Sequence, residues 1–319
     1  MSAPFVPTWG LGNAHLQTLY GSLFAPRPGV TYRRERWDTP DGDFVDVDFV
    51  DGAPGTPWVH LFHGLEGSSD SPYAKHLMSL VKQRGWRGSV FNFRGCSGEP
   101  NRLARAYHSG DTPEVEWVLA KLKALAGDVP FHAAGVSLGG NVLLKWLGEQ
   151  GDAALPRVTR AVAISAPVDL TAAGNALSTG FAQLYGKHFL GTLRQRSFDK
   201  LARFPGMFDA ARAKAARTLR EFDDVVTAPV HGFAGVDDYY ARASSKPWLP
   251  KVRVPTLLLN ARDDPFLPER FLPRVDEVSD AITIEFPERG GHVGFVSGFP
   301  GRIDWLPRRV MDFFDGGAR

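Results

Sequence analysis

A chain of 319 residues, 43% hydrophobic and 23% charged, can build one large α/β domain with an inserted subdomain, or two domains, and has the balance of an ordinary folded protein. A net charge of +2 sets up no strong field toward nucleic acid or an anionic membrane surface, so neither is expected as a partner. The single cysteine, Cys96, excludes an intrachain disulfide framework and a cysteine-built metal cluster, and fits a reducing, cytoplasmic setting.

In chain order, residues 1–12 carry prolines and no apolar core behind a basic start, so no secretory signal is expected. No run of about 18 apolar residues suggests a transmembrane anchor. Strands are predicted over 33–38 and 44–50, and the turn residues Pro40-Asp41-Gly42 between them make an antiparallel hairpin. From there the pattern alternates. A buried strand over 58–62 precedes a helix over 73–84, and a strand over 88–93 precedes a helix over 112–126 capped by Asp111. A strand over 129–134 leads into a further helix, and another strand follows over 158–165. Such alternation with short connections predicts a mostly parallel sheet of about eight strands with helices on both faces. After Ala166-Pro167 the rhythm breaks: residues 170–245 hold helical segments and aromatic positions such as Phe181, Tyr185, Phe189, Phe204 and Phe208, but no strand. Strands resume over 254–260 and 281–286, and a helix over 304–314 closes the chain. The expected organisation is a core from 1–167 and 249–319 with a helical lid, 168–248, inserted between two strands. There is no internal repeat or low-complexity segment.

The chemistry concentrates at Gly135-Val136-Ser137-Leu138-Gly139, a G-x-S-x-G pentapeptide with a strand before it and a helix directly after. A serine there sits on a sharp strand-to-helix turn that exposes its hydroxyl, and the glycines two residues to either side clear space in the bend. Leu138 N–H and the positive helix end then lie beside the hydroxyl. The hydroxyl is a poor nucleophile until a histidine takes its proton, and that histidine needs an acid to set its tautomer. In such sheets the partners follow in the order serine, acid, histidine, in loops after strands. Ala261-Arg262-Asp263-Asp264-Pro265 follows one strand and Arg289-Gly290-Gly291-His292 follows the last. Asp264, directly before the turn at Pro265, is the expected acid, with Asp263 the alternative, and His292 the expected base. A second oxyanion donor is expected from His63-Gly64-Leu65-Glu66-Gly67: Gly64 lets the chain pass close, leaving Leu65 N–H to donate beside Leu138 N–H. His63 is a rival base, but it precedes the serine and belongs to a His-Gly turn. The other histidines have no metal-site spacing, Cys96 reads as a small buried side chain, and neither metal nor organic cofactor is called for.

Longer strings carry a resemblance. Asn13-Ala14-His15-Leu16-Gln17-Thr18, His63–Asp70, Asn92–Arg102, Tyr107–Thr112, Gly135–Gly139, Arg220-Glu221-Phe222-Asp223-Asp224, Asn260–Phe266 and Gly290–Phe295 together resemble the YheT-like branch of the α/β-hydrolases over nearly the whole chain. The resemblance implies a serine hydrolase of the esterase kind. Eukaryotic relatives act on lipid acyl esters and carry an N-terminal membrane anchor, which this sequence does not display. An H-x-x-x-x-D acyltransferase motif found in some relatives does not occur here. The expectation is hydrolysis of small-molecule esters with short or medium apolar acyl groups through a Ser137 acyl-enzyme. Thioesterase or amidase action, lipase-like action at membranes, and a catalytically silent binding protein on the same fold are the alternatives.

Overall fold

Eight strands form one sheet in the computed structural model, which describes residues 3–316. In chain order the elements are α1 (Ala14–Leu23), β1 (Arg33–Asp38), β2 (Phe44–Val50), β3 (Trp58–Phe62), α2 (Pro72–Gln83), β4 (Arg87–Asn92), α3 (Thr112–Ala126), β5 (Phe131–Val136), α4 (Leu138–Gln150) and β6 (Arg160–Ile164). Then come α5 (Leu170–Ala176), α6 (Gln183–Arg203), α7 (Ala210–Ala215), α8 (Leu219–Phe222), a π-helical turn (Asp223–Thr227), α9 (Ala228–Val230) and α10 (Val236–Ala243). β7 (Thr256–Leu259), β8 (Ile282–Glu285) and α11 (Trp305–Phe314) complete the chain. The sheet order is β1-β2-β4-β3-β5-β6-β7-β8. The two pairings made by β2 are antiparallel and all others parallel.

Side-chain alternation explains the layers. Along β3, Val59 and Leu61 face one side with Val90, Ala134, Val136, Val162 and Leu257, where α2 and α11 cover them. Phe62, Phe91, Phe131, Ala133, Ala161 and Leu258 face the other side, under α3 and α4. Strands buried on both faces read as continuous apolar runs, which is why they stood out in the sequence. The hairpin uses charge instead: Arg34 and Arg36 stand opposite Asp48 and Asp46 in the β1–β2 register and bind them through paired hydrogen bonds of 2.7–2.9 Å. Buried carboxylates on an edge hairpin are tolerated because each meets a guanidinium fork.

Two features differ from the sequence reading. Asp111 occupies the residue before α3 but makes no capping bond; its carboxylate takes Arg105 at 2.6 and 2.8 Å instead. Charge pairing with a guanidinium outcompetes a cap to neutral amides. Helix α1 was not anticipated, because its pattern is inverted: Gln17, Thr18 and Gly21 are buried, while Leu16 and Leu23 are exposed. Hydrophobic periodicity cannot find a helix that buries its polar side. Its start is marked by Asn13, whose side chain accepts from the His15 and Leu16 amides.

Between β6 and β7 the described residues are helical, with small cores of their own around Phe222 and around Tyr240. Helix α6 is tied to the sheet-bearing part by cations. Lys200 Nζ donates to the carbonyls of Leu103, Ala104 and Arg105, and Arg203 to those of Asn101 and Arg102. No helix among the described residues is long and apolar enough to cross a membrane.

Candidate active site

β5 runs to Val136, and the chain turns directly into α4 at Ser137, whose φ of 52° and ψ of −119° lie where non-glycine residues are rarely found. The turn is tight enough that a Cβ on Gly135 would run into the Gly139 carbonyl, and one on Gly139 into the Phe62 carbonyl. Held this way, the Ser137 hydroxyl stands off the sheet at the N-terminal end of α4, where the helix dipole is positive.

Ser137 Oγ lies 3.0 Å from His292 Nε2, and His292 Nδ1 lies 2.9 and 3.1 Å from the two oxygens of Asp264. A carboxylate on Nδ1 makes that nitrogen the donor, so Nε2 is left as an acceptor facing the serine hydroxyl. Asp264 is buried and also accepts the Phe266 amide at 2.8 Å. The structure thus brings together Ser137, His292 and Asp264 rather than Asp263. Asp263 has another partner: its Oδ1 accepts the Gly291 amide at 2.9 Å, one residue before the histidine. Burial pushes the Asp263 carboxyl above its ordinary value, with the Gly291 amide opposing the shift.

Across from the histidine, the loop after β3 passes close to the serine. A Cβ on Gly64 would stand 3.2 Å from Ser137 Cβ. Among the described residues, neither the Leu65 nor the Leu138 N–H has a hydrogen-bond partner. Both residues line the same cavity as Ser137. The loop is braced by Glu66, itself at φ 56°, whose amide donates to Tyr107 Oη while that hydroxyl donates to Glu66 Oε1. Arg196 of α6 reaches the same carboxylate at 3.2 Å.

The chain as a whole has relatives among known proteins. Residues 57–299 match a family model described as alpha/beta hydrolase fold. This chain belongs to the α/β-hydrolase family. It is 41% identical to YheT of Escherichia coli over 98% of its own length and 93% of that protein. It is 31% identical to human phospholipase ABHD3, covering 97% of this chain and 78% of that one. Among solved structures, the Pyrococcus furiosus esterase Pf2001 superposes with a TM-score of 0.59 at 15% identity, covering 99% of this chain and 98% of that chain.

Within this α/β-hydrolase the rival histidine is otherwise engaged. His63 is buried, its Nδ1 donates to the Gly64 carbonyl at 2.7 Å, and its Nε2 accepts the Phe93 amide at 3.1 Å. Burial pushes it down to about 4, so it stays neutral and positions the loop. Cys96 is buried too, and desolvation pushes its thiol up to about 11.

Two residues that sequence reasoning missed hold His292. Phe266 stacks on the imidazole with ring centroids 3.8 Å apart and planes 10° from parallel. Thr18 of α1 accepts the His292 amide on its hydroxyl at 2.9 Å and donates that hydroxyl to the Ala14 carbonyl. Gln17 grips the same loop at Val296, donating to its carbonyl and accepting its amide, and also donates to the Leu11 carbonyl ahead of α1. The available signal was the polar string Asn13–Thr18 behind a capping asparagine. Replacing Thr18 by Val strands the buried His292 amide and is expected to cost about 1–3 kcal/mol in urea unfolding, while Thr18→Ser keeps most of the stability. Equal stability of the two variants would refute the role.

Proposed function

We propose that the protein hydrolyses carboxylic esters through an acyl-enzyme on Ser137. The observation that carries this reading is the relay Asp264–His292–Ser137, with a consistent tautomer and a serine held at positive φ. His292 Nε2 takes the hydroxyl proton as Ser137 Oγ bonds to the ester carbon, and the Leu65 and Leu138 amides receive the charge that forms on the carbonyl oxygen. The ester C–O bond then breaks, and His292 passes its proton to the departing alkoxide. A water molecule repeats the sequence on the acyl-enzyme, releasing the acid and restoring Ser137.

Two cavities meet at the serine, and proton delivery assigns them. The leaving oxygen must reach His292, so the cleft lined by His292, Thr18, Leu23, Tyr73 and Leu184 takes the alcohol. The other cleft, lined by Leu65, Leu138, Leu170, Ala173, Leu177 and Phe189 without the histidine, takes the acyl group. Its walls come largely from residues 168–248, which act as the lid of the site, and they suit an apolar acyl group of short or medium length. Thioesters and amides are open to the same chemistry.

A second reading is action on lipid at a membrane surface. Leu23, Phe181 and Leu184 line the alcohol cleft and are 66%, 49% and 55% exposed, an apolar rim unusual for a site fed only from water. The human relative bears the name phospholipase. One experiment tests both readings: fluorophosphonate labelling, followed by kcat/KM on p-nitrophenyl esters from acetate to palmitate and on phospholipid vesicles. Labelling of Ser137 and a maximum at butyrate to octanoate are expected. A maximum at palmitate, or turnover confined to vesicles, assigns the membrane role. An unlabelled Ser137 with no turnover removes the enzyme reading.

A further inference from the structure

The acyl cleft is largely apolar; Tyr107, His108 and Ser109 line it from the side opposite the helical block, and the wall that the block supplies carries one buried acid. There the chain departs from α-helix into a single π-helical turn, Asp223–Thr227, an irregularity common at ligand-binding positions. The turn presents Asp223 and Thr227 to the same cleft that contains Ser137, beside Tyr240 of α10. Thr227 Oγ1 donates to Asp223 Oδ1 at 2.6 Å and Tyr240 Oη donates to Oδ2 at 2.8 Å. Tyr240 is itself wedged in place, since a Cβ on Gly174 of α5 would come within 2.9 Å of its ring.

A carboxylate offers about four acceptor positions, and here protein donors fill two. Among the described residues no Lys, Arg or His lies within ion-pair distance of Asp223, unlike the neighbouring Asp224, which Arg212 meets at 3.5 Å. Burial raises the Asp223 carboxyl to about 6, against the two hydrogen bonds that lower it. An acid kept in an apolar cleft without a cation is costly, and a wholly apolar acyl chain would leave its remaining acceptors unmet. The string Arg220–Asp224 stood out in the sequence, yet the ester-cleaving step proposed for Ser137 makes no use of it.

From this arrangement we infer that Asp223, steadied by Thr227 and Tyr240, is a specificity-determining residue that selects acyl groups carrying a hydrogen-bond donor, a hydroxyl or an ammonium, along an otherwise apolar chain. The inference rests on the acyl-enzyme reading of Ser137 and on the assignment of this cleft to the acyl side. It narrows the substrate class from plain fatty acyl esters to hydroxyacyl or aminoacyl ones.

The test compares p-nitrophenyl hexanoate, octanoate and decanoate with their ω-hydroxy and ω-amino counterparts, using purified full-length protein. In at least one length the substituted ester is expected to exceed its parent in kcat/KM by about tenfold or more, as a hydrogen bond to a charged acceptor allows. A larger gain for the amine indicates recognition by charge, and a gain for the alcohol alone indicates a neutral donor; either supports the inference. In Asp223→Asn the ratio should fall toward 1 while fluorophosphonate still labels Ser137. Tyr240→Phe, which removes one of the two bonds that steady the carboxylate, should lower the preference. Plain esters turned over through Ser137 with no preference at any length would overturn this inference alone. A preference that survives in Asp223→Asn, or is untouched in Tyr240→Phe, would overturn the assignment to Asp223 and its support. Absence of both labelling and plain-ester turnover would instead remove the acyl-enzyme reading beneath it. If Asp223→Asn does not fold, the wild-type ratios and Tyr240→Phe still decide.

Discussion

Ser137→Ala is expected to reduce kcat on p-nitrophenyl butyrate by roughly 10⁵–10⁶-fold and to abolish fluorophosphonate labelling. No other described side chain stands in its place: Oγ is the atom 3.0 Å from His292 Nε2, and it is held there by a backbone conformation that most residues avoid. Loss of the hydroxyl removes the covalent route and leaves only the contribution of the Leu65 and Leu138 amides and of binding. The fold should not suffer. Alanine keeps the Cβ, and positive φ at this position is slightly less strained without a γ-substituent to accommodate. Thermal unfolding at or above the wild-type temperature, together with lost turnover, is the expected pair of results. Turnover within tenfold of wild type would place the nucleophile elsewhere.

Asp264→Asn should lower kcat by roughly ten-thousand-fold with little change in KM, because an amide nitrogen facing His292 Nδ1 turns the imidazole into the wrong tautomer. Asp264 Oδ2 stands 2.9 Å from Nδ1, and Oδ1 is already committed to the Phe266 amide at 2.8 Å. With its oxygen kept at the Oδ1 position by the Phe266 amide, the substituted residue places its NH2 at the Oδ2 position, the one nearer to Nδ1, where it competes as a donor. Asp263→Asn should cost far less, within about tenfold, since its carbonyl oxygen can still accept the Gly291 amide. Measuring kcat and KM for both variants at neutral pH decides the matter. Equal losses would mean that the two carboxylates act as a unit.

The contrast between these neighbouring aspartates illustrates what the sequence could supply. Strands β3, β5, β6 and β7 were legible because a strand covered on both faces must be apolar throughout. Ser137 and Asp264 each follow such a strand, whereas His292 comes after the half-buried edge strand β8 and was singled out by the order of the loops along the chain. Pro265 favoured the second aspartate, whose side chain the structure turns toward His292. The supporting contacts were not legible. Phe266 looks like any apolar residue after a turn until its ring is found parallel to the imidazole. Thr18 and Gln17 sit on a helix whose buried side is polar, so the usual signal for a helix points the wrong way. Asp111 shows the reverse error: a residue suited to capping by type was captured by Arg105, six positions earlier in the chain.

The bond from Thr18 to the His292 amide joins residues 274 positions apart. During synthesis the turn bearing Ser137 can form once β5 and α4 have left the ribosome, yet the loop that carries its base partner comes more than 150 residues later. That loop then needs α1, a helix made some 274 residues earlier, to hold it. A nascent or prematurely terminated chain that stops before β8 therefore contains a folded-looking elbow and no means of using it. Closing so long a loop is slow and entropically costly, so docking of α1 against the loop after β8 belongs among the last folding events. Ester turnover in a refolding or coupled-translation experiment would consequently report the arrival of the loop after β8, lagging behind the growth of helical signal from the segments before it.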